Sequence, residues 1–435
     1  MYMMDKSLME RKRLMATMYL KNGCAIRGKD DDTVLGPANE LARLYNDSGI
    51  DKIMLWDLSE TKEEHNNTLK VIREINRVLE ISSYAFGWTS TIRDIKEYLF
   101  SGCRRVILSS SDPELPNILE ECQKRFRGDR LSLALDDVDV IFKKRSEIEE
   151  YYHDVYVFKE EILESLVNMT EVPFYAVVDT MDVDTYAEIL KIPTCLGIGG
   201  PLLNERYTDI MILKHQLYER GLLVLLNDST MSWDAFKLDN DGLIAVVAQD
   251  YATKEVLNYG YMNEEAFKAT MTKGKMHYYD KSSGSIYMHG ESSEQFQYVK
   301  SLSVDCHKQA ILAKVSQIGV ACHTGNYSCF YTEIVKKDYI EKNTVRVLEN
   351  IYNVITSRKK HPREGSFTNF LMEKGLNEIA RRIQSESTEI ILSAKDDDSE
   401  ALRAQLSDLL YFLMVLMSKY DITWDDVINE LAQRK

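Results

Sequence analysis

No apolar run in this chain approaches the ~20 residues that a membrane-spanning helix needs; the longest, 409–417, is about half that length. A surplus of basic charge is missing too. The 435 residues hold 54 Lys and Arg against 69 Asp and Glu, a formal net charge of −15, where a nucleic-acid-binding surface would want a basic face. Neither an internal repeat nor a low-complexity tract is present. The opening residues, Met1-Tyr2-Met3-Met4-Asp5-Lys6, carry charges where a signal peptide would have its apolar core. Cysteine is sparse, with seven in all, and Cys24, Cys103, Cys122 and Cys195 are scattered; an odd, dispersed set suits a reducing compartment better than a disulfide framework. Together with a charged fraction of 28% and a hydrophobic fraction of 44%, these absences predict a soluble, cytoplasmic protein with no membrane and no nucleic acid among its partners. The acidic balance still admits a phosphorylated small substrate, because metal ions and a few local Lys or Arg can hold phosphates. One ordinary core is too little for this length, and two or three domains are expected.

The other three cysteines carry the strongest chemical signal. Cys306 stands in Val304-Asp305-Cys306-His307, and Cys322 and Cys329 in Ala321-Cys322-His323-Thr324-Gly325-Asn326-Tyr327-Ser328-Cys329-Phe330. Three thiolates, with a histidine beside each of the first two and an aspartate beside the first, suit a zinc ion whose fourth position is left for water. The spacing is not the Cys-x-x-Cys knuckle of a structural finger. One cysteine and a distant pair can instead meet across a subunit interface. Buried core thiols are the alternative, since free Cys behaves as a small hydrophobe; the polar, glycine-rich surroundings favour a site.

Organisation along the chain predicts a multidomain protein. Short apolar runs at 17–20, 52–56, 82–86, 105–108, 131–135, 174–178, 193–198 and 222–226 alternate with helix-length segments such as Leu69-Lys70-Val71-Ile72-Arg73-Glu74-Ile75. Eight strand candidates of this kind suggest a closed (β/α)8 barrel over residues 1–228. After Asn227-Asp228-Ser229 the pattern changes to two-residue alternation, as in Ile244-Ala245-Val246-Val247-Ala248-Gln249. That suits a small α+β domain over 229–340, with an antiparallel sheet and one helix near 263–272. A charged linker at 336–343 leads to an all-α bundle over 341–435, with helices expected at 345–358, 367–374, 376–394, 399–420 and 424–433.

The middle and C-terminal regions resemble the bifunctional enzymes of histidine biosynthesis that join phosphoribosyl-AMP cyclohydrolase to phosphoribosyl-ATP pyrophosphohydrolase. For the cyclohydrolase the resemblance rests on Gly242-Leu243-Ile244, Tyr261-Met262-Asn263-Glu264-Glu265, Gly290-Glu291-Ser292-Ser293, Asp305-Cys306, Cys322-His323-Thr324-Gly325 and Ser328-Cys329-Phe330. It implies a Zn2+ shared across a homodimer, Cys306 from one copy meeting Cys322 and Cys329 of the other, with Asp305 at a metal position and Glu291 and Ser292 on the substrate loop. Opening a purine ring by hydrolysis needs a strong nucleophile at neutral pH, and zinc lowers the pKa of bound water to about 7. His323, beside a ligand, is the candidate for proton transfer, the alternative being a histidine satisfying a local hydrogen bond. The family pattern Asp-Cys-Asp-x-Asp, whose carboxylates bind Mg2+, is here Asp305-Cys306-His307-Lys308-Gln309. Two hard oxygen anions are lost there, and Glu294-Gln295 stand where Gly-His is usual.

In the helical region the resemblance is to the pyrophosphohydrolase, carried by Val354-Ile355-Thr356-Ser357-Arg358-Lys359, Ser366-Phe367-Thr368, Glu386-Ser387-Thr388-Glu389 and Asp408-Leu409-Leu410-Tyr411. Glu386 and Glu389, three apart, share a helix face, and Asp408 can project toward them from the next helix. Carboxylates converging on Mg2+ would bridge the triphosphate and orient water. The resemblance implies phosphate contacts from Arg358, Lys359 and Arg382. The usual Glu-Glu-x-x-Glu and Glu-x-x-Asp are here Ser385-Glu386-x-x-Glu389 and Gln405-x-x-Asp408.

The N-terminal region looks like the barrel isomerase and cyclase family of the same pathway. Leu20-Lys21-Asn22-Gly23, Trp56-Asp57-Leu58, Leu135-Asp136, Val178-Asp179 and Gly199-Gly200 fall at strand C-terminal ends, where such barrels place catalysis and phosphate binding. Tyr19, however, occupies the place of the first catalytic aspartate, and Gly87-Trp88 replaces a phosphate-cradling glycine run. This implies a barrel that has lost its isomerase chemistry, with Asp136, Asp179, Gly199 and Gly200 as remnants. Two readings follow for the whole chain. One is an enzyme taking phosphoribosyl-ATP to phosphoribosyl-AMP in the bundle and opening the purine ring in the zinc domain. The other is a regulatory paralogue in which Ser385, Gln405, His307 and Gln309 mark lost turnover.

Overall fold

The computed structural model describes residues 11–123, 130–135, 137, 148, 151–159, 162–163, 173–205, 207–335, 344–363, 365–396, 398–424 and 426–428. The chain divides into two compact units, 1–333 and 334–435.

The first unit begins with the barrel. Its eight parallel strands are β1 (Arg13–Lys21), β4 (Lys52–Asp57), β5 (Ser82–Phe86), β6 (Arg105–Ser109), β7 (Leu131–Leu135), β8 (Val155–Val157), β9 (Phe174–Val177) and β10 (Cys195–Gly199), and β10 pairs back onto β1 to close the ring. An antiparallel ribbon, β2 (Cys24–Gly28) and β3 (Asp31–Gly36), extends β1 beyond the ring. The strands read as continuous apolar runs because both faces are covered, by the lumen and by the outer helices α1 (Ala38–Ser48), α2 (Lys62–Val78), α3 (Ile92–Phe100), α4 (Leu115–Gln123), α5 (Val183–Leu190), α6 (Pro201–Glu205) and α7 (Ile210–Glu219). Alternate residues Met15, Met54, Tyr84, Ile107, Ala134, Tyr156 and Tyr175 fill the lumen. Helices α2 and α3 each open with a capping box, Thr61 with Glu64 and Thr91 with Asp94, which satisfies otherwise unpaired N–H groups at the barrel's rim.

Seven of the eight expected barrel strands are strands of the ring. The segment 222–226 is not: its contact with the sheet is a bridge from Lys12 to Val224, and the Lys12 N–H donates to the Leu223 carbonyl at 2.7 Å. Leu222 and Val224 are buried while Leu223 and Leu225 stand half exposed, so the run covers one side only, whereas a ring strand must bury both. The missing strand is Val155–Val157, three fully buried residues, too short to register as an apolar run.

The middle region carries a four-stranded sheet ordered β12 (Val256–Met262), β11 (Ile244–Asp250), β16 (Ala310–Gln317), β15 (Gln297–Val304). The expected antiparallel sheet is mixed: the outer pairings are antiparallel, but the central pair β11 and β16 is parallel. A separate hairpin, β13 (His277–Asp280) with β14 (Ser285–Met288), and helix α8 (Glu264–Lys273), capped by Asn263 onto the Ala266 N–H at 2.8 Å, cover one face. The core is Ile244, Val246, Ala248, Leu257, Met262, Phe267, Met276, Tyr278, Ile311 and Val315. This sheet meets the barrel through a polar seam. Ser316 Oγ donates to Asp47 Oδ2 at 2.6 Å, Arg43 donates to Ser316 Oγ at 3.1 Å, and the Lys300 ammonium lies 2.8 Å from both Asp47 and Glu80.

The second unit is helical: α9 (Thr344–Lys360), α10 (Phe367–Lys374), α11 (Leu376–Lys395) and α12 (Ser399–Lys419). Its core is Ile355, Leu371, Ile379, Phe412, Met414 and Val415. Of the helix expected at 424–433, residues 424 and 426–428 are helical and the rest lie outside the described residues, as do the linker 336–343 and Asp136. Among the described residues one helix, Ser399–Lys419, is long and apolar enough to cross a membrane. One side of it packs into the core through Phe412, Met414 and Val415; Leu406, Leu410 and Leu413, with Ile391 and Leu392 on α11, stay exposed.

Candidate active sites

The cysteine loop hangs on the edge strand β12. The Cys329 N–H donates to the Leu257 carbonyl at 2.7 Å, and Ser328 Oγ donates to the Val256 carbonyl at 2.7 Å. Ahead of them the chain folds back on itself: the Cys322 N–H donates to the Asn326 carbonyl at 3.0 Å and the Gly325 N–H to the Cys322 carbonyl at 3.0 Å. Cys322 Sγ sits 3.0 Å from Thr324 Oγ1, which itself accepts from Asn326 Nδ2 at 2.9 Å, so the hydroxyl proton is left to point at sulfur. Hydrogen bonds from the Thr324 side chain and backbone hold the Cys322 thiol below its usual range. Local burial of its sulfur and the neighbouring Cys322 push Cys329 up to about 11. Of the two thiols Cys322 is thus the readier to ionise, and binding a soft cation would require both to give up their protons. Both cysteines are free of disulfides.

Cys306 lies elsewhere. It stands in the exposed turn between β15 and β16, which Asp305 organises: its carboxylate accepts the N–H groups of Gln309 at 2.6 Å, Ala310 at 2.9 Å and His307 at 3.1 Å. Those backbone bonds, Ala310 and Gln309 foremost, hold the Asp305 carboxyl below the usual range. Asp305 thus shapes the turn that presents Cys306. The strand registers Leu302 to Ala313, Ala313 to Ala248 and Ala248 to Asn258 put this turn and Leu257 at opposite ends of opposite edge strands. Three strand spacings across and about five residues along amount to roughly 20 Å. Consistent with this, the three sulfurs do not fall among the described groups whose ligand atoms gather within 4.8 Å. One chain does not assemble the trio.

His323 is exposed at the tip of the loop. Glu291 and Ser292 are exposed on the segment that follows β14, where Gly290 (φ +83) is required: a Cβ there would lie 2.4 Å from the Gln295 carbonyl oxygen. Beneath the cysteine loop runs a buried amide network that the sequence reading missed. Gln297 donates to Asn258 Oδ1 at 2.7 Å and to Gln317 Oε1 at 3.0 Å, and accepts from Tyr278 Oη at 2.8 Å. It fixes β12, and with it Leu257 and the cysteines, to the strand that follows the Glu291 segment. The signal was a polar Gln at an otherwise apolar register position on each of two strands.

In the helical unit α11 and α12 pack side by side, and the Gln405 amide meets Ser393 Oγ at 2.6 Å. Continuing that antiparallel register brings Asp408, one turn beyond Gln405, level with Glu389, one turn before Ser393. Glu386 is half-buried, while Glu389 and Asp408 are exposed. Their hard oxygen donors suit magnesium, although they do not gather within 4.8 Å of one another. Lys359 is engaged elsewhere: its ammonium binds the Ser418 carbonyl at 2.8 Å and Asp421 at 2.6 Å, at the C-terminal end of α12. Arg382 donates to Glu378 at 3.1 Å, and Arg381 and Arg382 together hold that carboxyl down to about 2. The Arg358 carbonyl accepts from Asn369 Nδ2 at 2.7 Å, joining α9 to α10.

At the barrel's C-terminal mouth, Trp56 packs against Tyr19 (5.5 Å between centroids), Phe86 (4.8 Å) and Phe158 (5.3 Å). Aromatic rings thus occupy the place where the resemblance expects an acid on β1. Asp179 is exposed and Gly199 and Gly200 are buried; at Gly87 (φ +124) a Cβ would meet the Asp57 carbonyl oxygen at 2.1 Å, so that glycine serves a close backbone approach.

Three family models match separate segments of the chain. The family model for phosphoribosyl-AMP cyclohydrolase covers residues 258–331, that for phosphoribosyl-ATP pyrophosphohydrolase 348–435, and that for the histidine biosynthesis protein 13–190 of the barrel. The segments carrying the cysteine loop and the acidic helices thereby define a fused hydrolase, a cyclohydrolase followed by a pyrophosphohydrolase. Relatives named histidine biosynthesis bifunctional protein HisIE include those of Thermoanaerobacter pseudethanolicus (40% identical over 207 residues, 45% of this chain and 96% of the relative), Pyrococcus furiosus (38% over 198 residues, 45% and 93%) and Bacillus subtilis (35% over 201 residues, 46% and 95%). The chain belongs to this bifunctional family, and is an enzyme of it, with a barrel placed ahead of the shared part.

Proposed function

We propose that the chain catalyses two consecutive hydrolyses: phosphoribosyl-ATP to phosphoribosyl-AMP and pyrophosphate in the helical unit, then opening of the phosphoribosyl-AMP purine ring at a zinc site, in the cytoplasm. The carrying observation is the separation of the cysteines. Cys322 and Cys329 are paired on one loop, Cys322 being the readier of the two to ionise, whereas the Cys306 turn stands at the far corner of the same sheet. A second copy supplies the missing thiolate, so Cys322 and Cys329 of one protomer meet Cys306 of the partner subunit, and the working form is a homodimer.

Three thiolates suit zinc and leave one position open. When bound, zinc supplies a water of lowered pKa as nucleophile. The protein's own groups do the rest. Asp305 holds the Cys306 turn in shape, Thr324 favours the Cys322 thiolate, and His323, exposed beside the pair, accepts the proton of the attacking water. Glu291 and Ser292 hold the substrate from the segment after β14.

In the helical unit Glu386, Glu389 and Asp408 would hold magnesium, which when bound would supply the positive charge that a triphosphate needs beside these carboxylates. Arg358 and Arg382 neutralise the phosphates, Arg382 exchanging its contact with Glu378 for one with substrate. Lys359 serves chiefly to hold the end of α12. The deciding experiment is a coupled assay of the full chain with phosphoribosyl-ATP under defined zinc and magnesium. Production of the ring-opened compound supports the reading. Accumulation of neither product overturns it.

A further inference from the structure

Between α2 and α3 of the barrel, a histidine is buried with one ring nitrogen unsatisfied. His65 has no solvent exposure. Its Nδ1 lies 2.7 Å from Asp57 Oδ2, which also accepts from Tyr98 Oη at 2.8 Å. A carboxylate on Nδ1 fixes the tautomer that carries its proton there and turns a bare lone pair outward at Nε2. Yet Nε2 has no hydrogen-bond partner, and Glu97 Oε2 stands 3.7 Å away, too far to bond. Trp88 stacks on the ring at 5.2 Å.

The acids around this nitrogen are arranged in the same manner. Asp94 Oδ2 is occupied by the Thr91 N–H at 3.0 Å and the Thr91 hydroxyl at 2.7 Å, and Glu97 Oε1 by Arg93 Nε at 2.9 Å. Each of the three side chains therefore spends one atom on being oriented and presents the other: His65 Nε2, Asp94 Oδ1 and Glu97 Oε2. Ligand atoms of the three all lie within 4.8 Å of one another. Ligands around a tetrahedral ion at about 2.1 Å stand about 3.4 Å apart, so a contraction of roughly 1 Å suffices. A cation already visits the place. The Lys62 ammonium is 3.1 Å from Asp94 Oδ1 and 3.1 Å from Glu97 Oε2, on a side chain 46% exposed that can swing into solvent.

We propose that the barrel carries a second metal site, for a divalent transition ion of the zinc class, formed by His65 Nε2, Asp94 and Glu97, with Lys62 as the competing cation that the metal displaces. One imidazole with two carboxylates selects against magnesium and calcium, which want all-oxygen cages. The Asp57 carboxylate behind His65 is the outer support that metal-binding histidines commonly have. Because an ammonium must leave, this site binds more weakly than a thiolate site and fills only when metal is supplied.

The test uses the full chain with Cys306, Cys322 and Cys329 all changed to Ser, titrated with Zn2+ against a chromophoric chelator. One zinc per chain is expected to bind. Adding Glu97→Gln, a partly exposed change that spares the fold, should weaken binding at least about tenfold, and Lys62→Gln should strengthen it by a similar factor. His65→Gln should abolish binding, with circular dichroism confirming that the barrel is folded. Independently, Co2+ added to the parent protein should fill a second site whose visible bands come without the thiolate charge-transfer absorption of the first. If the triple-Ser chain takes up no zinc, or if Glu97→Gln and Lys62→Gln both leave the titration unchanged, the site does not exist.

Discussion

The Cys329 N–H is tied to the Leu257 carbonyl at 2.7 Å, and with the Ser328 hydroxyl on the Val256 carbonyl that bond anchors the paired cysteines to the edge strand farthest from the Cys306 turn. Metal loading should therefore report on assembly. We expect one tightly held zinc per chain in the purified protein. Cys322→Ser should lose it together with ring opening, as should Cys306→Ser despite its distance. Elemental analysis after dialysis checks this, and a Cys322→Ser protein retaining full zinc would contradict the shared site.

A second expectation concerns the dimer. Leu406, Leu410 and Leu413 on α12 and Ile391 and Leu392 on α11 are exposed apolar side chains among the described residues, of the kind that marks a protein contact. Light scattering should give twice the chain mass, and Leu410→Glu should shift the protein toward monomer. A zinc-loaded, active monomer would refute the assignment.

For the pyrophosphohydrolase step, the few remaining acids should hold magnesium weakly, with water filling the vacancies. Activity should need high magnesium and fall on the order of tenfold or more in Glu389→Gln. Ser385→Glu should lower the magnesium requirement. Gln405→Glu should do less, because that position is already bonded to Ser393. Unchanged hydrolysis by Glu389→Gln at every magnesium concentration would remove α11 from the mechanism.

The barrel should show its own pH signature. Lys52 is buried against the rings of Tyr84 and Tyr175, near Asp154, Arg13, Arg105 and Asp51, and burial brings its amine down to about 7. The folded state then binds fewer protons than the unfolded chain above that pH, so stability should rise as pH increases from about 7 toward 10, by at most ~1.4 kcal/mol per pH unit. Thermal melts across that window should flatten in Lys52→Met. A parent protein whose stability falls over the same window would show that Asp154 keeps the amine charged.

Much of this was legible in the letters, for physical reasons that also explain the gaps. Ring strands such as Leu131–Leu135 read clearly because burial on both faces demands an unbroken apolar run. Val155–Val157 is too short to give one, and 222–226 imitates one while covering a single side. The cysteine trio was visible by chemistry, but its division between corners follows from strand order, which no local pattern encodes. His65 was invisible for a different reason. It follows Lys62, Glu63 and Glu64, so it reads as part of a solvated helix face, and its partners Asp57, Asp94 and Tyr98 come from a strand end and the next helix.

The seam between barrel and sheet has a further consequence. The relatives matched are covered almost end to end by less than half of this chain, so they manage without a barrel. Here, however, Ser316 is fully buried against Asp47, and Lys300 is shared between two barrel acids. Cutting the chain at the domain border would strand those charges in water with no counterpart. The added domain has become a splint: heat or denaturant should melt barrel and sheet in one cooperative step, and the cyclohydrolase half, set free, should be less stable than its shorter cousins.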